Sequence, residues 1–197
     1  MHASASPVPG DLDALGREAS GCTRCRLAVG RTQVVFGTGT PSADLLFVGE
    51  GPGAEEDRQG LPFVGRSGKL LDRLMGEELG MTRASCYIAN IVKCRPPGNR
   101  DPKPDEIEAC RPWLEGQLER LRPRVVVTMG NTATRTLLGT TEGVTRLRGR
   151  TYPWRDIVLV PTYHPAAVLR GGPSAMAEMR ADLVRAKLAL AGTGAAG

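Results

Sequence analysis

The sequence predicts an α/β fold: a three-layer α/β/α sandwich around a central, mainly parallel four-stranded sheet. Three observations predict it. Four short apolar runs rich in Val and Ile read as buried strands. Stretches with helical spacing lie between them, and strands that alternate with helices pair in parallel. Turns follow the runs, at the edge of such a sheet where ligands bind.

The first strand is "DLLFVG" at 44–49, and the turn after Val48 is rich in glycine and acid. "SGKLLDRLMGEELG" then puts Leu70, Leu71, Leu74 and Leu79 largely on one helical side. "CYIANIV" at 86–92 is the second strand, interrupted by the polar Asn90. In "PDEIEACRPWLEGQLERL", Ile107, Cys110, Leu114, Leu118 and Leu121 make one helical stripe. "RVVVTMG" at 124–130 is the third strand, with "NTATRTLLG" behind it and Asn131 as the expected N-cap. "IVLVPTYHP" at 157–165 is the fourth, and the helical "SAMAEMRADLVRAKLALAG" follows. Residues 11–191 are expected to form a single domain. The flanking 1–10 and 192–197, small and weakly hydrophobic, are expected to be flexible.

The 197 residues suffice for one real core, and a net charge of +5 permits a polyanionic partner without requiring one. No segment is apolar for long enough to span a bilayer. "MHASASPVPG" has neither the basic nor the apolar region of a signal peptide, so a cytoplasmic protein is expected. Thiols stay reduced there, and the five cysteines then argue for something other than a disulfide framework.

Gly49-Glu50-Gly51-Pro52-Gly53-Ala54 matches the G-x-G-x-x-A spelling of a dinucleotide loop. That reading fails on context. "AEEDRQGLPF" makes a poor helix, Glu50, Glu55, Glu56 and Asp57 repel a pyrophosphate, and the ribose-binding acid is missing. The cysteines are more specific. Cys22-x-x-Cys25 is a chelating pair, and Cys94 and Cys110 are two further single thiols. Four thiolates suit zinc or an iron–sulfur cluster, and spacing does not separate the two. Cys86, inside a strand, reads as core. Beyond His2 near the start, His164 is the only imidazole, at the end of the fourth strand. Asn90 either caps a neighbouring turn or reads a ligand with its paired donor and acceptor.

"GEGPGAEEDRQGLPFVGRSGKLLD", "NIVKCRPPGNRDPKPDEIEAC" and "HPAAVLR", with the upstream "CTRC", resemble the family 4, iron–sulfur uracil-DNA glycosylases over most of the chain. The resemblance implies the uracil-DNA glycosylase fold and a [4Fe–4S] cluster on Cys22, Cys25, Cys94 and Cys110. It implies an enzyme of base excision repair that flips uracil out of DNA, hydrolyses its N-glycosidic bond and leaves an abasic site. A related covalent-trapping class carries a basic insert ending in histidine between the last two ligands. "RPPGNRDPKP" has no histidine, which favours an ordinary turnover enzyme.

In that light Phe63 stacks on the flipped base, and Asn90 pairs with the N3–H and O4 edge of uracil. His164 donates to O2, and Gly51 and Gly53 let the backbone approach the base. The best-known glycosylases carry a water-activating aspartate where this chain has Gly51. Glu56 and Asp57 are the candidates for positioning water, Glu56 preferred, while Glu50 is placed against the base to exclude the thymine methyl. Arg66, Ser67 and Lys69 are expected to hold a phosphate at a helix start. Leu169 and Arg170 are expected to fill the gap left by the base, and Lys93, Arg95 and Arg100 to track the DNA backbone. The partner is uracil-containing DNA, single- or double-stranded, and the chain is expected to be a monomer. Two other readings compete: a non-catalytic, metal-stabilised nucleic-acid-binding module, and a nucleotide-binding oxidoreductase using the cluster for electrons.

Overall fold

A computed structural model describes residues 11–192. The expected flexible segments, 1–10 and all but the first residue of 192–197, lie outside the described residues. The elements run α1 (Asp11–Ser20), α2 (Leu27–Gly30), β1 (Thr38–Gly39), β2 (Leu45–Gly49), α3 (Ala54–Gln59), α4 (Arg66–Leu74), β3 (Tyr87–Asn90), α5 (Pro104–Leu121), β4 (Val125–Met129), α6 (Asn131–Leu138), α7 (Val144–Leu147), β5 (Tyr152–Trp154), β6 (Ile157–Thr162) and α8 (Pro165–Leu190). A π-helical turn, Met75–Leu79, extends α4.

The four apolar runs are the parallel strands β2, β3, β4 and β6, but the sheet has six strands among the described residues, not four. Its order is β1-β3-β2-β4-β6-β5. The two added strands pair antiparallel at the edges. They are two and three residues long, and β5 contains Pro153. Edge strands are commonly short and interrupted in this way, which leaves no apolar run to read.

The inner strands are buried on both faces, so their side chains alternate between two cores. Leu46, Val48, Ala89, Val126 and Leu159 pack with α1, α2, α5 and α6. Leu45, Phe47, Ile88, Val125, Val127 and Val160 pack on the other face with α4 and α8. From β2 the chain leaves along the α4 face to β3, and from β4 along the α6 face. The crossovers diverge between β2 and β4, and a crevice opens there at the carboxyl ends of the strands.

Two local expectations are corrected. "AEEDRQ" does form a short helix, α3, which stops at Gly60 in the left-handed region, φ 73°. Asn131 starts α6 rather than capping it. Its Oδ1 instead accepts from the Val144 N–H, 2.8 Å away, at the start of α7.

Candidate active site

The turns after β2, β3, β4 and β6 meet in one cleft, lined by Glu50, Gly51, Gly53, Glu56, Phe63, Arg66, Ser67, Asn90, Thr132, His164 and Arg170 among others. Phe63 is held there from several sides. Its backbone is left-handed, φ 54°, a conformation rare for a bulky residue. Arg83 donates to its carbonyl and to that of Pro62 (2.8 Å), and also pairs with Asp72 at 2.6 Å. Glu56 Oε1 accepts from the N–H groups of Val64 and Gly65, both at 2.9 Å. A Cβ on Gly68 would stand 1.6 Å from the Phe63 carbonyl oxygen, so only glycine fits beneath the loop. The Phe63 ring lies 5.6 Å from the His164 ring and so close to Gly49 that a Cβ there would meet Cζ at 2.5 Å.

Asn90 ends β3, is 1% exposed, and lines the cleft. Its Oδ1 is the one buried side-chain nitrogen or oxygen without a partner among the described residues. Leaving such an oxygen unpaired costs roughly 1–3 kcal/mol, which a ligand N–H would recover.

His164 is the N-cap of α8, and its Nδ1 accepts from the Ala166 N–H at 3.1 Å. A ring nitrogen that accepts carries no proton, so the neutral ring keeps its proton on Nε2. Burial, reinforced by Arg170 and opposed by Glu56, pulls the pKa of His164 down to about 4. At neutral pH the ring is therefore an uncharged donor beside the cleft.

The acids divide by environment. Burial raises the pKa of Glu50 above the usual carboxylate value, against a hydrogen bond from Thr132 Oγ1. That bond joins the turn after β2 to the start of α6, across the crevice. The cleft residue Thr132 was not among the sequence candidates; the only signal was its place just after the third strand's turn. Glu56 has one oxygen fixed to the Phe63 loop, while Oε2 accepts no bond among the described residues and faces Gly53, where a Cβ would stand 2.7 Å away. Asp57 is not brought to the cleft, which corrects its expected place near the water. It is buried, and both oxygens accept from the Thr32 N–H at 2.9 and 3.1 Å. On a six-residue helix, adjacent side chains point about 100° apart, so Glu56 and Asp57 cannot face the same way. Glu55 is exposed and pairs with Arg58 at 2.6 Å.

Gly51 lines the cleft, and its bare Cα also makes room for Val92, whose Cγ2 would be 2.7 Å from a Cβ. Arg66 and Ser67, at the start of α4, and Arg170 border the cleft, whereas Lys69 and Leu169 do not line it. Both stand exposed nearby, Leu169 at 42%. Arg95 bonds Asn99 at 2.7 Å, and Arg100 forks onto the buried Glu106 at 2.6 and 2.8 Å. Lys93 is buried rather than free to track a DNA backbone, which corrects that expectation.

The four cysteines converge although every element from α2 to β3 separates the pairs in sequence. Cys22, Cys25, Cys94 and Cys110 line one cavity, with Arg24, Arg31, Lys93 and Trp113 around it. Three donors point at sulfur: Trp113 Nε1 to Cys22 at 3.2 Å, the Lys93 backbone N–H to Cys110 at 3.2 Å, and Arg31 to Cys94 at 3.4 Å. Burial pushes the thiol of Cys94 up, and that of Cys110 up to about 11. No three His, Cys, Asp or Glu side chains among the described residues form a group that could hold a single metal ion. Cys86 is a buried core thiol, as expected, but it sits just before β3 rather than inside a strand.

Comparison with known proteins gives a consistent result. A family model described as the uracil DNA glycosylase superfamily matches residues 36–185. The type-4 uracil-DNA glycosylase of Sulfurisphaera tokodaii is 43% identical over 166 residues, 80% of this chain and 76% of that protein. That of Thermotoga maritima is 43% identical over 161 residues, 81% of this chain and 83% of that protein. A type-5 uracil-DNA glycosylase of Pyrobaculum aerophilum is 31% identical over 165 residues, 82% and 66% of the two chains.

Proposed function

The chain belongs to the uracil DNA glycosylase superfamily, and from that membership we infer that it is a monofunctional uracil-DNA glycosylase. It turns uracil out of DNA, hydrolyses the N-glycosidic bond, releases free uracil and leaves an abasic site. The observation that carries the site assignment is the unpaired Asn90 Oδ1 in a cleft walled by Phe63 and His164.

Phe63 is the stacking surface for the flipped base. Asn90 Oδ1 accepts from uracil N3–H while its amide N–H donates to O4, a pairing that cytosine presents inverted. Glu50, beside Asn90 in the cleft, closes the space a thymine methyl would need. As the bond from C1′ to N1 breaks, its electron pair leaves with the base, and charge develops on O2. The His164 Nε2–H donates to that oxygen. A neutral donor suits this role, because it stabilises the anion without needing to be protonated first. Water adds to C1′ and loses its proton to solvent. Glu56 holds that water: one oxygen is spent on the loop, and the other, aimed past Gly53, is open to it. Arg66, Ser67 and Arg170 grip phosphates at the rim, Lys69 adds charge behind them, and Leu169 fills the place of the flipped base.

Cys22, Cys25, Cys94 and Cys110 suit a [4Fe–4S] cluster. The donor set is all thiol, and the three N–H groups aimed at sulfur are what an anionic cluster calls for. Bound there, the cluster supplies a structural clip between the chain's start and the loop from Cys94 to Cys110. We read residues 11–191 as one domain, acting as a monomer in the cytoplasm, where thiols stay reduced. No helix among the described residues is long and apolar enough to cross a membrane.

The test is a uracil-containing oligonucleotide incubated with the protein and then with alkali. Strand scission at uracil is expected, falling about 10²–10³-fold in His164→Ala, as for loss of an oxyanion donor. Intact strands with the unaltered protein overturn the activity. Full activity in His164→Ala or Asn90→Ala overturns the site.

A further inference from the structure

Lys93 lies between Asn90, at the end of β3, and Cys94. A lysine at the end of a strand in a basic chain would ordinarily reach solvent, because burying an ammonium costs several kcal/mol unless it is paired. Yet Lys93 is 1% exposed. Its Nζ donates to the Asn90 backbone carbonyl at 2.8 Å and to Gln117 Oε1 at 2.6 Å, and sits 5.9 Å from the centre of the Phe36 ring. Both acceptors are neutral, and no carboxylate among the described residues forms an ion pair with it. Among the buried groups it is a cation without an anion.

The missing anion has an evident source. Lys93 lines the cavity of the four cysteines, and its own N–H donates to Cys110 Sγ at 3.2 Å. A cluster on four thiolates carries net negative charge, and it would place that charge within electrostatic reach of this ammonium, on which Cys110 already acts. The same ammonium holds the carbonyl of the residue that reads uracil. We propose that Lys93 is a positioning residue that couples the cysteine site to the base pocket: it balances the charge of the bound cluster and, through its bond to the Asn90 carbonyl, sets the end of β3. The inference rests on the cluster and Asn90 readings above. It predicts that a clip remote from the cleft bears on base recognition, because the negative site favours the cation that anchors Asn90.

The experiment uses cluster-loaded protein and two substitutions. Lys93→Met keeps the length of the side chain but loses both charge and N–H. Gln117→Glu leaves Nζ its acceptor and Asn90 its anchor, but sets a carboxylate against the ammonium. Reduction potentials are read by redox titration, and uracil affinity by inhibition with free uracil. Both variants are expected to shift the cluster to lower potential, since each removes net positive charge beside it. Lys93→Met alone is expected to weaken uracil inhibition, by about tenfold for loss of a charged hydrogen bond. Unaltered protein that assembles no iron and sulfide overturns the cluster reading and this inference with it. A loaded cluster whose potential moves in neither variant overturns the inference alone, as does Lys93→Met with unchanged uracil inhibition. Should Lys93→Met fail to load, Gln117→Glu decides: an unchanged potential there overturns the coupling.

Discussion

His164 and Glu56 each spend one atom on the backbone and leave the other to face the cleft. The Ala166 N–H takes Nδ1 of His164, and the Phe63 loop takes Oε1 of Glu56. The histidine bond has a consequence for pH. Burial favours the neutral ring, so its pKa falls from 6.5 to about 4, and the tautomer with its proton on Nε2 persists as pH drops through the ordinary value. Uracil release in a pH series is expected to show no His164 break near 6.5, and to lose this donor only on approach to about 4. A break near 6.5 that His164→Ala abolishes would contradict it. For Glu56, two substitutions separate the two oxygens. Glu56→Gln retains an acceptor for Val64 and Gly65 but not the charge facing water, so kcat should fall about 100-fold with KM little changed. Glu56→Ala should also raise KM, because the Phe63 loop loses its anchor. Equal KM values in the two variants would show that the loop does not depend on Glu56.

At the scale of elements, the Phe63 loop, the proposed platform for the base, is clamped between α3 and α4. Glu56 comes from the first, and Gly68, in the first turn of the second, presses against the Phe63 carbonyl. Gly68→Ala would set a methyl 1.6 Å from a backbone oxygen that Arg83 already holds. The expected cost is about 3 kcal/mol or more, since neither neighbour is a flexible side-chain end. Thermal unfolding should show a lower midpoint, and uracil inhibition should weaken with it; a wild-type midpoint would mean that the loop yields freely. The start of α5 is pinned in a comparable way. Arg100 and the Lys103 N–H converge on the buried Glu106, whose pKa drops to about 2, with the Arg100 hydrogen bond as the largest cause. This fixes the loop that carries Cys94 toward the helix that carries Cys110.

For the whole molecule, the cleft lies where the crossovers diverge between β2 and β4, with Arg66 and Arg170 at its rim, where the proposed DNA contact falls. If Arg66 and Arg170 each contact a phosphate, replacing either with Ala should weaken binding to all sequences alike. It should also reduce the slope of log affinity against log salt by about 1. Unchanged slopes in filter-binding or anisotropy measurements would remove them from the interface. Much of this was legible in the sequence. Period-two burial on both faces makes the four inner strands continuous apolar runs, and CTRC, the GEGPGAEED loop and HPAAVLR are long local strings. Local strings name residue types and spacing, so they determined the fold class, the family and the shortlist of chemistry: Phe63, Asn90, His164, Glu50, Glu56, Asp57 and four cysteines. The edge strands stayed hidden because two or three residues carry no period. Tertiary structure alone decided direction and partnership. Asp57 turns to Thr32 while Glu56 turns to the cleft, Thr132 reaches Glu50 from another strand's turn, and Lys93 points inward rather than to DNA. Each depends on where a helix phase or a distant backbone atom falls in space, and the chemistry of a side chain does not encode that until the chain around it is packed.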